Sequence, residues 1–294
     1  MPFDPLLNPG VPVDLDLGGL AVTAFSISGL ATYVLVPEFD ACFDLGYCPI
    51  EATRLRNVFL SHCHLDHCGG ARLHHSMRTM TGARPSRFYV PAPSAQPLRD
   101  LFAAHDRLDG REPRDYSEAI RPLAPGDEVR LSGRFTVRCF DVEHRIDSLG
   151  YTVSETRRKL RPAFAGLPGP AIAEARERGE ELYDFHTINA FTYVGDSVIG
   201  TLRRHPEIGQ SQVLFLECTH LPGTERSVSA TWGHTHLEEI LELAAERPEI
   251  FASPHIVLKH FSTRYDHRDI LRVRDLLPPG LRERVTLLVP PRAR

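Results

Sequence analysis

The sequence SHCHLDHCGG at residues 61–70 constrains the fold most strongly, because it places three histidines and one aspartate within six positions. It follows the apolar run NVFLS, which is typical of a strand, and it precedes a segment with a helical pattern. Side chains that follow a strand lie at the carboxyl edge of an α/β sheet, where such proteins build their ligand sites. Crowded imidazoles and carboxylates are costly unless a cation holds them. The segment therefore predicts an α/β fold with a metal site at one sheet edge.

The spacing of these side chains indicates two neighbouring cations. His62 and His64 stand at alternate positions and point the same way, whereas Asp66 and His67 turn toward a second centre. A lone histidine is usually a structural or surface residue, but four such side chains at this spacing rarely are. Imidazole and carboxylate ligands suit Zn²⁺, with Mn²⁺ or Fe as alternatives.

Later strand ends supply the further ligands that a dinuclear site needs. The apolar runs CFDVEHR, FTYVGDS and HIVLKHF carry His144, Asp196 and His260 at their ends. We expect these side chains to converge on the same rim as residues 61–70. An aspartate can bridge two cations, and we assign that role to Asp196. Cys63 and Cys68 alternate with the first ligands, and we interpret them as small buried residues rather than as thiolate ligands.

The rest of the chain predicts two sheets with outer helices. Strand patterns recur in the first half, among them LAVTAFSI, RFYVPA and FTVRCFDVEH, with a helical pattern in PSAQPLRDLFAAHDRL. In the second half, AFTYVGDS, QVLFLECTH and HIVLKHF alternate with the helical segments THLEEILELAAE and RYDHRDILRVRDLL. This order favours a single α/β domain over residues 1–294, without a clear internal repeat. Residues 154–184 depart from it, being charged and punctuated by Pro and Gly, and their composition alone favours a solvated loop with a short helix.

Charge and cysteine usage exclude several classes of protein. The formal net charge of -4 argues against a generic nucleic-acid binder, so any such role needs a local basic patch. No apolar stretch approaches the ~20 residues that span a bilayer, and the N-terminus lacks the pattern of a signal peptide. The six cysteines show no CxxC spacing, which predicts reduced thiols in a cytoplasmic protein.

Together these segments resemble the metallo-β-lactamase superfamily and, within it, the short plant-type branch of the ribonuclease Z family. HxHxDH marks the superfamily, whereas WGHTHLEEI, LKHFSTRY and the Arg/Lys-rich segment with its Gly-Pro turn are more specific to ribonuclease Z. The resemblance extends over nearly the whole chain. It implies an αββα four-layer sandwich of two mixed β-sheets flanked by helices, with a short protruding arm at about residues 155–185.

The resemblance also implies a role for each site residue. It implies two zinc ions per chain, one held by His62, His64 and His144, the other by Asp66, His67 and His260, with Asp196 between them. Asp66 would also orient or deprotonate the attacking water. His234 in WGHTH would protonate the leaving 3′-oxygen, supported by Glu217. His234 lies at the start of a predicted helix and, without the resemblance, is as well explained as a surface residue, and His236 is the second candidate for the proton donor.

The implied function is that of a zinc-dependent endoribonuclease that cuts precursor tRNA 3′ of the discriminator nucleotide and removes the 3′ trailer, working as a homodimer. The arm would bind the tRNA body, with phosphates contacted by Arg157, Arg158, Lys159 and Arg161 and a turn formed by Gly166, Gly169 and Pro170. A small-molecule phosphodiesterase or thioester hydrolase of the same superfamily is the alternative. A metal-free nucleic-acid-binding relative is a third hypothesis. The complete set of predicted metal ligands argues against it.

Overall fold

The structure is a computed structural model that describes residues 10–289. Its first half forms a seven-stranded sheet whose spatial order follows the chain. The strands of this sheet are β1 (Val13–Leu17), β2 (Leu20–Ile27), β3 (Ala31–Val36), β4 (Ala41–Leu45), β5 (Asn57–Phe59), β6 (Arg87–Pro91) and β7 (Ile120–Leu123). Strands β1 to β4 pair antiparallel, and β4 to β7 pair parallel.

The second half repeats this topology in a second seven-stranded sheet. Its strands are β8 (Glu128–Arg130), β9 (Phe135–Val142), β10 (Ser148–Leu160), β11 (Tyr183–Tyr193), β12 (Val213–Glu217), β13 (His255–Lys259) and β14 (Val285–Leu287). Strands β8 to β11 pair antiparallel, and β11 to β14 pair parallel. The sequence shows no matching repeat, because two halves can satisfy the same hydrophobic pattern with different residues.

Nine helices lie outside the sheets in the described part of the chain. They are α1 (Leu65–Cys68), α2 (Ala71–Met80), α3 (Ala92–Leu108), α4 (Gly169–Glu177), α5 (Gly200–Arg204), α6 (Arg226–Trp232), α7 (Leu237–Glu246), α8 (His267–Leu276) and α9 (Pro279–Arg282). Short 3₁₀ turns occupy Pro37–Phe39, Ile50–Arg54, Pro162–Phe164, Pro206–Gln210 and Pro248–Phe251. None of the helices within residues 10–289 is long and apolar enough to cross a bilayer.

Aromatic side chains join the two sheets face to face. The rings of Phe43 on β4 and Phe191 on β11 lie 4.9 Å apart between centroids, and those of Phe59 on β5 and Tyr151 on β10 lie 5.2 Å apart. All four side chains are buried in one cluster that contains residues of both sheets. Such aromatic pairs add packing energy beyond the apolar area that they bury.

Helices cover the outer face of each sheet. Phe102 of α3 packs on Phe88 of β6, with ring centroids 5.6 Å apart. On the other side, Leu237 and Leu243 of α7 lie in one buried cluster with Leu216 of β12. The order helix, sheet, sheet, helix confirms the predicted αββα sandwich.

Residues 154–184 differ from the loop that their composition favours. Strand β9 pairs with β10 only as far as Glu155, beyond which β10 and β11 pair with each other alone, down to Leu160 opposite Tyr183. The result is a two-stranded ribbon that leads into α4, so the short helix was predicted correctly and the loop was not. Cross-strand pairing supplies the backbone hydrogen bonds here, and it overrides a composition poor in β-branched residues.

Parallel strand directions bring the predicted site residues to one rim. In the first sheet, the segment that follows β5 carries the histidines of residues 61–70. In the second sheet, β9, β11, β12 and β13 all run in the same direction, because β9 and β11 are each antiparallel to β10. Their carboxyl ends therefore lie at one edge.

Candidate active site

Two groups of side chains meet at this rim, each suited to hold a metal ion. Within residues 10–289, the first group comprises His62, His64, His144 and Asp196, and the second comprises Asp66, His67 and His260. A third group that could hold an ion, formed by Asp196, His234 and His260, overlaps both. In the first group, His64 Nδ1 lies 3.0 Å from His62 Nε2 and 3.4 Å from His144 Nε2. In the second, His67 Nε2 lies 3.2 Å from His260 Nε2 and 3.6 Å from an Asp66 oxygen.

Asp196 stands between the two groups. Its Oδ2 lies 3.7 Å from His62 Nε2, whereas its Oδ1 lies 3.3 Å from both His67 Nε2 and His260 Nε2. Oδ1 is buried without a hydrogen-bond partner among the described residues. Burial raises the pKa of this carboxyl, but the imidazoles of His260 and His67 outweigh burial and hold the pKa well below its usual range. A buried carboxylate with one unpartnered oxygen is an environment prepared for a cation.

Hydrogen bonds behind the imidazoles fix which nitrogen faces the centre. His67 Nδ1 donates to Asp44 Oδ2 at 2.7 Å, and His144 Nδ1 donates to the carbonyl oxygen of Gly233 at 2.8 Å. His62 Nδ1 lies 3.0 Å from Ser61 Oγ, which itself donates to Asp44 and so accepts from the imidazole. These three rings therefore carry a proton on Nδ1 and present the lone pair of Nε2 to the centre.

His260 follows the same rule through a threonine. Its Nδ1 lies 2.9 Å from Thr219 Oγ1, and that hydroxyl donates to Glu217 Oε2 at 2.7 Å. The hydroxyl therefore accepts the Nδ1 proton, and His260 Nε2 faces the centre. The carboxylate of Glu217 thus orients one candidate ligand as well as His234.

The donor atoms fit divalent cations. Nitrogen and oxygen ligands about 2.0–2.1 Å from a tetrahedral zinc lie roughly 3.3 Å from one another. The distances between donor atoms in both groups range around this value, and none of these groups contains a cysteine. Burial lowers the pKa of His67, but Asp196 and Asp44 outweigh it and raise that pKa well above its ordinary value, so the same field stabilises a bound cation.

The backbone at this rim is held in unusual conformations. Asp44 and His260 have φ angles of 54° and 66°, in the left-handed region that residues other than glycine rarely adopt. Gly233 has φ 74°, and a Cβ there would lie 2.7 Å from His144 Nδ1. The close approach of the imidazole to this backbone therefore requires glycine. Strain of this kind clusters at functional sites, where the surrounding structure maintains it.

Asp44 is a site residue that the sequence reasoning missed. The carboxylate is fully buried at the end of β4 and accepts hydrogen bonds from Ser61 N at 2.6 Å, Ser61 Oγ at 2.8 Å, His67 Nδ1 at 2.7 Å and Tyr193 Oη at 2.5 Å. The available signal was the aspartate of FDLG, an acidic residue at the end of an apolar strand. Its function is to hold the segment that carries His62 and His67 in place.

Replacing Asp44 with alanine should lower metal affinity by about 10–100-fold, the usual cost of removing the residue that hydrogen-bonds to a metal-binding histidine. The physical reason is that His67 loses the acceptor that fixes its tautomer. Competition with a chelator measures this affinity. An exposed carboxylate of α3, Asp100, provides the control, since Asp100→Ala should leave affinity unchanged. Wild-type affinity in Asp44→Ala would contradict the assigned role.

Lys259 is a second buried group that lies next to the candidate ligands. Its ammonium lies 4.7 Å from the centroid of the Tyr193 ring and has no hydrogen-bond partner among the described residues. Burial lowers the pKa of this amine, whereas the nearby carboxylates, Asp196 first among them, oppose the shift. The side chain therefore contributes a cation–π contact and lies in the field of the site carboxylates.

His234 and Glu217 form a pair beside the two groups. His234 Nδ1 donates to Glu217 Oε1 at 3.0 Å, and no hydrogen bond within residues 10–289 uses its Nε2. Burial lowers the pKa of His234, but the Glu217 carboxylate outweighs it and raises the pKa above its ordinary value. Glu217 is fully buried and also accepts from the backbone nitrogens of Ser197 and Thr235. Each oxygen of this buried carboxylate therefore has hydrogen-bond partners, Oε1 from His234 and Oε2 from Thr219.

His236 has a different environment. It is the N-cap of α7, where its Nδ1 accepts from Glu238 N at 3.2 Å and its Nε2 donates to the carbonyl oxygen of Leu221 at 3.0 Å. Both ring nitrogens are therefore engaged in structural hydrogen bonds. The predicted helix start at His234 was wrong by three residues, because the cap residue is His236 and the helix begins at Leu237.

Comparison with known proteins identifies the family. A sequence model of the β-lactamase superfamily domain matches residues 39–261. The chain is 30% identical over 277 residues to tRNase Z TRZ1 of Arabidopsis thaliana, which covers 93% of this chain and 96% of the relative. The chain belongs to the ribonuclease Z family. The chloroplastic tRNase Z TRZ2 of Arabidopsis thaliana is also 30% identical to this ribonuclease Z-family chain, over 87% of this chain and 71% of the relative.

A solved structure shares the fold of this ribonuclease Z-family chain. The metallo-β-lactamase fold protein YhfI from Bacillus subtilis superposes with a TM-score of 0.59 over 92% of this chain and 96% of YhfI. The two sequences are 15% identical, so the likeness shows the fold alone.

The arm of this ribonuclease Z-family chain is less basic than its first residues suggest. Residues 155–185 contain six arginines and lysines and six acidic residues, so their formal charges cancel. Arg157 pairs with Glu155 at 2.7 Å, and Arg161 pairs with Glu181 at 2.6 Å and with Asp184 at 2.8 Å. These two guanidiniums are already engaged with carboxylates.

Three other cations of the arm, Arg158, Lys159 and Arg176, form no ion pair within residues 10–289, and the first two lie on the ribbon. Arg158 stacks on Tyr183, with its guanidinium 5.1 Å from the ring centroid, and Lys159 is exposed. Phe185 lies opposite Arg158 in the ribbon and is 71% exposed. Gly169 and Pro170 begin α4 after a turn in which Gly166 has φ 80°. One face of the ribbon therefore combines a cation with exposed aromatic surface.

Proposed function

We propose that this chain is a metal-dependent endoribonuclease that hydrolyses the phosphodiester bond 3′ of the discriminator nucleotide in precursor tRNA and so removes the 3′ trailer. The observation that carries the proposal is the His234–Glu217 pair beside the Asp196 carboxylate, in a chain of the ribonuclease Z family. Asp196 lies 3.9 Å from His234 Nδ1, so a proton donor stands at the edge of the candidate metal centre.

Two zinc ions are the cations that we propose, with Mn²⁺ or Fe as alternatives of the same ligand chemistry. One ion would be held by His62, His64 and His144, the other by Asp66, His67 and His260, and both by Asp196. When bound, such a pair of ions activates water and neutralises charge that develops on the phosphoryl oxygens.

Asp66 and His234 would accept and donate the protons of the reaction. Asp66 accepts a hydrogen bond from Gly29 N at 2.7 Å, and its pKa lies below its usual range because His260 and His67 outweigh the effect of burial. This carboxylate is therefore ionised and able to orient the attacking water or accept its proton. His234, held protonated by Glu217, would donate a proton to the leaving 3′-oxygen.

The arm at about residues 155–185 would bind the body of the tRNA, as part of a single domain over residues 1–294. Exposed Phe185 offers a ring face for stacking, and the cations proposed to contact phosphates are Arg157, Arg158, Lys159 and Arg161. We further propose that the chain acts as a homodimer in the cytoplasm. The described cysteines are all free thiols, which agrees with a reducing compartment.

Substituting Arg158 and Lys159 together with alanine should raise the KM for precursor tRNA and reduce the magnitude of its log–log salt slope by about two, one for each lost phosphate contact. Arg158 and Lys159 form no ion pair within residues 10–289, so their substitution should affect RNA binding more than substitution of Arg157 and Arg161, which are already paired with carboxylates. Turnover of an aryl phosphodiester should not change, because that substrate is too small to reach the arm.

The matched control removes Arg272 and Arg274 from the exposed face of α8. It changes the net charge of the protein equally and should leave both KM and salt slope unaltered. If Arg158→Ala/Lys159→Ala behaves like this control, the arm does not contact phosphates.

A comparison of substrates tests the proposed function against its alternative, a small-molecule phosphodiesterase or thioester hydrolase. We expect kcat/KM for a 3′-extended tRNA transcript to exceed that for an aryl phosphodiester or a thioester by several orders of magnitude, because only the RNA contacts the arm. Comparable values for all three substrates would favour the small-molecule hydrolase.

A further inference from the structure

A second concave site lies at the opposite edge of the first sheet, where its parallel strands begin. The pocket has a volume of about 280 Å³ and is lined mainly by arginines, namely Arg54, Arg56, Arg78, Arg84, Arg87 and Arg130. Arg56 precedes β5 and His62 follows it, so the pocket and the candidate metal centre lie at opposite ends of this strand, and they share no residue. The pocket is therefore a distinct site.

These six arginines lack carboxylate partners. None of them forms an ion pair within residues 10–289, whereas exposed arginines elsewhere do, as Arg226 does with Glu238 and Glu242. The one acidic residue in the lining, Asp40, uses its carboxylate to accept from Arg56 N at 2.8 Å and from Asn57 Nδ2 at 3.4 Å. The pocket thus carries a formal charge excess of about five.

Hydrogen bonds to backbone carbonyls fix one of these guanidiniums, that of Arg78, at the floor of the pocket. Arg78 is only 5% exposed, and its guanidinium donates to the carbonyl oxygens of Arg84 at 3.0 Å, Thr53 at 2.7 Å and Leu55 at 3.2 Å. Burial lowers the pKa of Arg56, and the neighbouring Arg87 and Arg84 lower it further. Like charges held this closely repel one another until an anion neutralises them.

We propose that this arginine-lined pocket binds a diphosphate group, either as free pyrophosphate or carried by a nucleotide. A single phosphate monoester carries roughly −1.5 to −2 charge near neutral pH, so two linked phosphates match the excess better than one. Guanidinium groups bind phosphate oxygens through paired hydrogen bonds. The volume suits a small ligand, and the lining offers Leu131 as its one apolar side chain, which leaves no surface for stacked RNA bases.

The proposal is independent of the proposed nuclease function, and calorimetry with pyrophosphate on the metal-loaded chain tests it. The double variant Arg84→Ala/Arg87→Ala should weaken the binding event at this pocket by about 100-fold or more, since each charge-assisted hydrogen bond is worth about tenfold or more. Neither guanidinium forms a hydrogen bond within residues 10–289, so the fold does not depend on them. The control is Arg272→Ala/Arg274→Ala, which should bind as the wild type does.

Pyrophosphate also has affinity for a metal centre, and inhibition separates the two sites. The inhibition constant of pyrophosphate for hydrolysis of an aryl phosphodiester should be equal in wild type and Arg84→Ala/Arg87→Ala, because inhibition reports the metal centre alone.

A parallel titration with ADP distinguishes the two sources of the diphosphate group. Affinity for ADP equal to that for pyrophosphate assigns a nucleotide-borne group, and weaker affinity assigns the free anion. Unchanged pyrophosphate binding in the double variant overturns the proposal, and a raised KM for precursor tRNA with that unchanged binding assigns the cluster to RNA backbone instead.

Discussion

Replacing Asp196 with alanine should remove most of the bound metal and reduce RNA cleavage by about 10³-fold or more. One oxygen of this carboxylate faces His62 and the other faces His67 and His260, so its loss weakens both proposed metal positions at once. The cations contribute several kcal/mol of charge stabilisation, and each 1.36 kcal/mol is tenfold in rate. Elemental analysis after gel filtration, together with single-turnover cleavage, measures both effects.

The matched control for this variant is Asp141→Ala, which removes a carboxylate from the surface of β9. It should retain full metal content. The metal content of Asp196→Asn should lie between those of Asp196→Ala and Asp141→Ala, because asparagine keeps one oxygen for a cation but loses the charge. Full metal content and full activity in Asp196→Ala would show that this residue does not bridge.

Replacing His234 with alanine should leave metal content unchanged and slow cleavage of precursor tRNA by about 10²–10⁴-fold, the usual contribution of a general acid. The loss should be much smaller for an aryl phosphodiester with an activated leaving group, because that group departs without protonation. Rates on the two substrates, measured side by side, separate proton donation from positioning. Equal losses on both would assign a positioning role to His234.

His236→Ala provides the contrast, because both ring nitrogens of this histidine hold the start of α7. We expect it to lower the free energy of unfolding by about 0.5–2 kcal/mol, the usual cost of losing an N-cap. Cleavage by the folded protein should be close to that of the wild type. A loss as large as that of His234→Ala would make His236 the better candidate for the proton donor.

The sequence predicts much of this site because its candidate ligands follow strand ends. Parallel strands of one sheet end at the same edge, so the rule places His144, Asp196 and His260 together at one edge of the second sheet. The structure brings this edge next to the end of β5 in the first sheet, where the three side chains lie within hydrogen-bond or ion-pair distance of residues of 61–70. The roles of these residues as metal ligands stay predictions. Their convergence is a consequence of strand direction within each sheet and of the face-to-face packing of the two sheets.

The missed features depend on tertiary contacts that leave no local pattern. Asp44 gains its importance from partners 17, 23 and 149 positions away in the chain. The arginine-lined pocket draws its residues from separate segments before β5, in α2, around the start of β6 and at the end of β8. No continuous run of charged residues in the sequence therefore indicates it. The ribbon of the arm forms because β10 and β11 pair with each other, which composition does not encode.

Mapping the cut end of a 3′-extended tRNA transcript tests the central claim most directly. The zinc-loaded chain is incubated with the transcript, and the 3′ end of the tRNA product is located on a denaturing gel against a sequence ladder. Asp196→Ala purified in parallel controls for contaminating nucleases. We expect a single cut directly 3′ of the discriminator nucleotide that leaves a 3′-hydroxyl. An uncut transcript, or cuts scattered along the RNA, from a preparation that still hydrolyses an aryl phosphodiester would contradict the claim.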